Sequence, residues 1–141
     1  MIKRQTKAAQ RAREIILDCM NVVERQGDSY VAIHKDSDGE CIVIASILKT
    51  FPIISIIVGD RLLFSEAHAE DLYRDTNELN RQSLFGWHTL HFVGDTTIYL
   101  YRQSLWIRNG LDREEFMEVL CHCISEYKSG RAELSAGKTE Q

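Results

Sequence analysis

The chain has no long hydrophobic run and no compact catalytic signature. The apolar stretch Ile53 to Val58, interrupted by Ser55, falls far short of the ~20 residues a membrane span needs, so no transmembrane segment is expected. Met1-Ile2-Lys3-Arg4 is basic, but neither an apolar stretch nor a small-residue cleavage site follows. No secretory signal is read there, and a cytoplasmic location is expected. Gly86, Gly94 and Gly110 stand singly at turns, so there is no phosphate-cradling loop, nucleophile elbow or Walker lysine. The histidines form no catalytic group. His88 and His91 are three apart on a predicted strand and point to opposite faces, and His34 and His68 lack an acidic or cysteine partner at a telling distance. No enzyme activity and no cofactor are expected.

What is present suits one ordinary domain. A chain of 141 residues lies within the usual single-domain range, and 44% hydrophobic with 27% charged residues can build one core with a solvated surface. Cys19, Cys41, Cys121 and Cys123 fall on or beside apolar phases of predicted elements, which favours buried free thiols over disulfides. The net charge of -4 is unevenly spread: Lys3, Arg4, Lys7, Arg11 and Arg13 all precede Glu14, the first acidic residue. An acidic body argues against nucleic-acid binding by the domain surface, since phosphate neutralisation needs a basic face. The basic arm has too little apolar content for a membrane anchor.

Periodicity orders the elements. Ala8, Ala12, Ile15, Ile16, Cys19, Met20, Val22 and Val23 recur at three and four, predicting a first helix stopped by Gly27. Tyr30 to Lys35 and Cys41 to Leu48 read as a hairpin about Asp38-Gly39, with Pro52 ending the second strand. Ile53 to Val58 is apolar on both faces. It is either a central strand covered twice or one whose second face meets another subunit. Gly59-Asp60 suggests a turn or bulge before Arg61 to Phe64.

Ser65 and the carboxylates after it predict the start of a second helix, with a buried stripe of Ala69, Leu72, Tyr73, Thr76 and Leu79. Trp87 to Val93 and Thr97 to Trp106 form a second, half-exposed hairpin, in which Ile98, Leu100 and Arg102 alternate against Tyr99, Tyr101 and Gln103. After a turn at Asn109-Gly110, Asp112 and Glu115 form a capping box and Leu111 and Phe116 a hydrophobic staple for the last helix, which Gly130 closes.

Two local patterns invite a metal and do not sustain one. Cys121 and Cys123 of Cys121-His122-Cys123 point about 200° apart on a helix, so Cys123 belongs in the core and His122 toward water. Asp36-Ser37-Asp38-Gly39-Glu40 lacks the spacing and flanking helices of a calcium loop and fits a hairpin turn.

The element order, Asn77-Glu78-Leu79-Asn80 at the end of the central helix, Phe85-Gly86 after it and Leu111-Asp112 opening the last helix resemble the bacterial YbjN-like family over residues 10 to 128. That family shares its fold with the small chaperones of type III secretion. The resemblance implies a non-enzymatic, chaperone-like or adaptor-like protein of a family described as sensory transduction regulators, often dimeric, that binds another polypeptide. It supplies no catalytic residues. The basic arm and the apolar stretch from Ile42 to Val58 depart from the family pattern.

The expected architecture is therefore α+β, a single α-βββ-α-ββ-α domain over residues 8–130 with a mainly antiparallel sheet covered by helices. A basic arm over 1–13 precedes it and a disordered tail over 131–141 follows. The expected function is binding of a polypeptide, as a homodimer, through Trp87, Tyr99, Tyr101 and Trp106, which cannot all be buried. The alternative is a small-molecule sensor or unrecognised enzyme with a pocket between the sheet and the second helix, where Asn77, Asn80, His88 and Arg102 could converge. For Asn77 and Asn80 the more ordinary role is to satisfy backbone groups where the helix stops.

Overall fold

The computed structural model describes residues 2–48, 50–62, 69–107 and 111–139, with side chains placed for 7–48, 50–62, 70–107 and 111–134. Its elements run α1 (Ile2–Cys19), β1 (Val22–Gln26), β2 (Ser29–Asp36), β3 (Gly39–Ile47), β4 (Ile53–Leu62), α2 (Ala69–Gln82), β5 (Gly86–Val93), β6 (Thr96–Trp106) and α3 (Arg113–Thr139). The expected α+β class holds, with one strand more than the sequence suggested. The strands form a single sheet in the order β1-β2-β3-β4-β6-β5, each neighbouring pair antiparallel.

The added strand replaces the end of the predicted first helix. Val22 and Val23 are β-branched and favour a pleated surface over a helix terminus. Gly27, expected as a helix stop, has φ 60° and lies between the paired residues Gln26 and Ser29. A glycine with positive φ at the first centre of a two-residue turn is what a hairpin requires. The expected break at Gly59-Asp60 is absent, because β4 continues through both residues paired to β6. The predicted strand end at Leu63-Phe64, the cap at Ser65 and the turn at Asn109-Gly110 lie outside the described residues.

All three helices pack on one face of the sheet. Arg13 of α1 donates from Nε to the Tyr30 hydroxyl of β2 at 2.9 Å, Tyr73 of α2 meets Phe92 of β5, and Tyr127 of α3 stacks on Tyr99 of β6 at 5.2 Å. Strand residues of that parity, Tyr30, Ala45, Ile54, Ile56, Val58, Tyr99 and Tyr101, have no exposed surface and form the core with Ile16, Leu72 and Phe116. In α2 the stripe holds at Leu72, Thr76 and Leu79, whereas Tyr73 is half exposed and the Ala69 side chain lies outside the described set. The basic arm is part of α1, and its last charges serve the fold. Arg11 donates to the Leu111 carbonyl at 3.2 Å, and Arg13 lies 3.5 Å from Asp28.

The last helix starts as its sequence predicts: the Glu115 amide donates to Asp112 Oδ1 at 2.8 Å, with Leu111 and Phe116 buried beside it. It does not stop at Gly130. The helix runs to Thr139 with Leu134 fully buried, so residues 131–139 are helical where a disordered tail was expected. Gly130 is there for close approach, since a Cβ at that position would overlap the Tyr99 hydroxyl. Asp112→Ala should lower stability by about 1 kcal/mol, or roughly 3–5 °C in Tm, measured by thermal denaturation.

Candidate functional site

Antiparallel pairing fixes which residues share the second face of the sheet, because side chains alternate with a period of two. One cross-strand row reads Ile33, Ile42, Gly59, Leu100, Thr89. The next reads Glu24, Val31, Ile44, Ile57, Arg102, Trp87. Beyond them lie a row of serines, Ser29, Ser46, Ser55 and Ser104, and then the pair Ile53 and Trp106. Within the serine row, Ser29 and Ser46 hydrogen-bond to each other at 2.8 Å, and an added Cβ at Gly59 would strike the Leu100 side chain. No described helix covers these rows. Trp106 is 58% exposed, Trp87 55%, Ile33 51% and Ile42 42%, a concentration of apolar surface that ordinary monomers rarely present.

The four predicted partner-binding aromatics are thus divided between faces. Trp87 and Trp106 lie on the open face, as the sequence reading required. Tyr99 and Tyr101 do not: both are fully buried under the helices. The alternation along β6 was read correctly, but the tyrosine side is the one that faces the helices. Burial pushes the Tyr101 hydroxyl up to about 12 and the Tyr99 hydroxyl higher still, so both remain protonated donors. Tyr101 donates to Gln103 Oε1 at 2.8 Å.

The predicted ligand-binding set does not assemble. His88 is 2% exposed, with Nδ1 2.6 Å from the Tyr99 hydroxyl. Asn80 holds the backbone of that same residue, accepting from the His88 amide at 2.6 Å and donating to its carbonyl at 2.9 Å. Its amide satisfies a backbone, though of a strand and not of the helix end. Asn77 is exposed on α2, and Arg102 lies on the opposite face of the sheet from His88. A pocket between sheet and second helix is therefore not built from these four residues.

An open cleft of about 770 Å³ lies elsewhere, between the β2–β3 turn and α3. Lys128 enters it and pairs with Asp36 and, at 3.3 Å, with Asp38. His34 meets Asp36 at 2.8 Å. Lys128, His34 and the Asp38 amide hold the Asp36 carboxyl far below the usual carboxylate range. The acidic stretch once compared with a calcium loop thus ties the hairpin to α3.

The cysteines are free thiols. Cys123 is in the core as expected, and burial raises it to about 12 and Cys41 to about 11, which leaves both as weak nucleophiles. His122 departs from expectation. It is half-buried, edge-on to Phe85 and Tyr101 rather than turned to water.

Comparison with solved structures matches the chain to the crystal structure of YbjN, a candidate transcription regulator from E. coli. The TM-score is 0.68 over 92% of each chain, at 17% identity. The chain has the YbjN fold. No protein-family model and no curated protein sequence matches it. The YbjN fold here is a six-stranded antiparallel sheet with helices on one face, and none of its described helices is long and apolar enough to cross a membrane.

Burial lowers the His88 pKa from the ordinary 6.5, with Glu126 opposing the shift. Between the lowered folded value and 6.5 the unfolded chain binds more protons, so stability falls as pH drops through that window. Urea midpoints at pH 7.5 and 5.5 should show this loss, and His88→Gln should reduce the difference between them. Gly130→Ala should destabilise by roughly 1–3 kcal/mol, because Tyr99 must give way, and its urea midpoint should drop accordingly.

Proposed function

We propose that this protein is a non-enzymatic, adaptor-like or chaperone-like domain that binds another polypeptide in the bacterial cytoplasm. The observation that carries this is the uncovered sheet face bearing Trp87 and Trp106, both more than half exposed amid isoleucines. Aromatic anchors surrounded by apolar side chains dominate binding energy in protein interfaces. The YbjN likeness supports a regulatory, non-catalytic role in its coarse sense, YbjN being a candidate regulator. The buried tyrosines belong to the scaffold that keeps this face presented.

The homodimer implied by the family resemblance belongs to the same proposal. It is tested by light scattering on the purified chain.

Affinity purification of the tagged protein from its source organism, with mass spectrometry of the bound material, should recover a discrete polypeptide. Trp87→Ala combined with Trp106→Ala should reduce recovery at least tenfold while leaving Tm within a few degrees, since both side chains are exposed. Tyr99→Ala should cost about 3–5 kcal/mol and compromise the fold itself. Unchanged recovery with the double tryptophan variant would remove the open face from the function.

A further inference from the structure

Arg102 is the one cationic side chain within the two central rows of the open face, flanked by Ile57 on β4 and Trp87 on β5, with Glu24 at the β1 end of its row four strand steps away. No carboxylate pairs with it among the described residues. Arg61, on the same face at its margin, likewise has no ion pair among the described residues. Lys35 and Glu40, also at the margin, pair with each other at 3.6 Å. The open face therefore offers unpaired positive charge although the whole chain carries -4. Whatever covers this face must bring a carboxylate to Arg102, because a guanidinium buried without a partner is strongly destabilising.

The backbone narrows the occupant further. Inside a sheet the strand amides and carbonyls bond to neighbouring strands, so the face presents side chains alone. An extended segment laid across it would bury its own backbone polar groups unsatisfied, at a cost of about 1–3 kcal/mol each. A helix satisfies its backbone internally. From β2 to β5 the apolar rows span four interstrand steps, about 19 Å, which is the length of about 13 helical residues.

A second copy of this chain fits less well. Its open face holds two carboxylates, Glu40, already paired with Lys35, and Glu24 on β1, against three cations, Lys35, Arg61 and Arg102, so face against face one arginine per copy would remain without an acid.

We propose that the open face receives an amphipathic helix of a partner protein, whose apolar stripe packs between Trp87 and Trp106 and carries an Asp or Glu that pairs with Arg102. The inference rests on the polypeptide-binding reading above and specifies the chemistry of the polypeptide.

The protein carries its own probe. The chain has two tryptophans, and both lie on this face, so intrinsic fluorescence reports directly on its occupancy. The full chain would be titrated with synthetic helical peptides of about 15 residues bearing a leucine stripe. One peptide has Glu within the stripe, a second has Gln and a third has Lys. A fourth, extended and β-branched with a central proline, has the Glu but cannot form the helix.

The Glu helix should shift tryptophan emission and bind at least tenfold more tightly than the Gln helix, as a charge-assisted pair predicts. In Arg102→Gln that preference should vanish, and in Arg102→Glu the Lys helix should bind best. Circular dichroism of both variants confirms the fold, since Arg102 is exposed. Equal binding of the Glu and Gln helices, or binding of the extended peptide alone, would overturn the acidic-helix proposal and leave polypeptide binding standing. Failure of every peptide overturns it too, and the tryptophan variants in affinity purification then decide the broader reading. A dimer by light scattering whose tryptophans are already shielded would make the face a self-interface and overturn both.

Discussion

The seam between α3 and the two tyrosines of β6 is the contact on which the rest of the molecule depends. Tyr99 sits under Gly130, stacks on Tyr127 and meets His88 through its hydroxyl. Tyr101 lies beside His88 and, through Gln103, near Cys123. Because α3 also contacts α1, α2 and β4, this one interface draws every helix to the same side of the sheet. The price is a face left bare, and its chemistry follows from strand parity. Once Tyr99 and Tyr101 point to the helices, Leu100, Arg102 and Trp106 must point away.

Much of this was legible in the sequence because it is local. The Asp112 capping box, the Asp38 hairpin and the alternation along β6 are short-range patterns, and each appears where those patterns predict it. The failures share a physical origin. Val22 and Val23 satisfy a helical period and a strand equally well, and what decides between them is the pairing with β2. Gly130 looks like a helix stop until Tyr99 is known to lie against it. Tyr73 fits the apolar stripe of α2 but pairs with Phe92 of β5 near the surface.

The site divides in the same way. Alternation separated Tyr99 and Tyr101 from Arg102, but nothing local says which side the helices will cover. That is set by long-range packing of three helices. Ile53 to Val58, apolar on both faces, belongs to β4, which runs through the middle of the sheet with its second face covered by no described helix. Asn80 and His88 were singled out together and do meet, through the backbone of one and the amide of the other.

That last pair has a consequence for how the protein lives among its own copies at high concentration. β5 is an outer strand, and outer strands tend to recruit further strands. Asn80 occupies both backbone groups of His88 there, so a growing sheet would meet a side-chain amide in the place of its next rung. At the other border β1 is five residues long, irregular between Val22 and Glu24, and charged at Glu24 and Arg25. With both borders made poor templates, the molecule can carry a broad apolar surface in free solution without polymerising sideways, and its stickiness is confined to one direction.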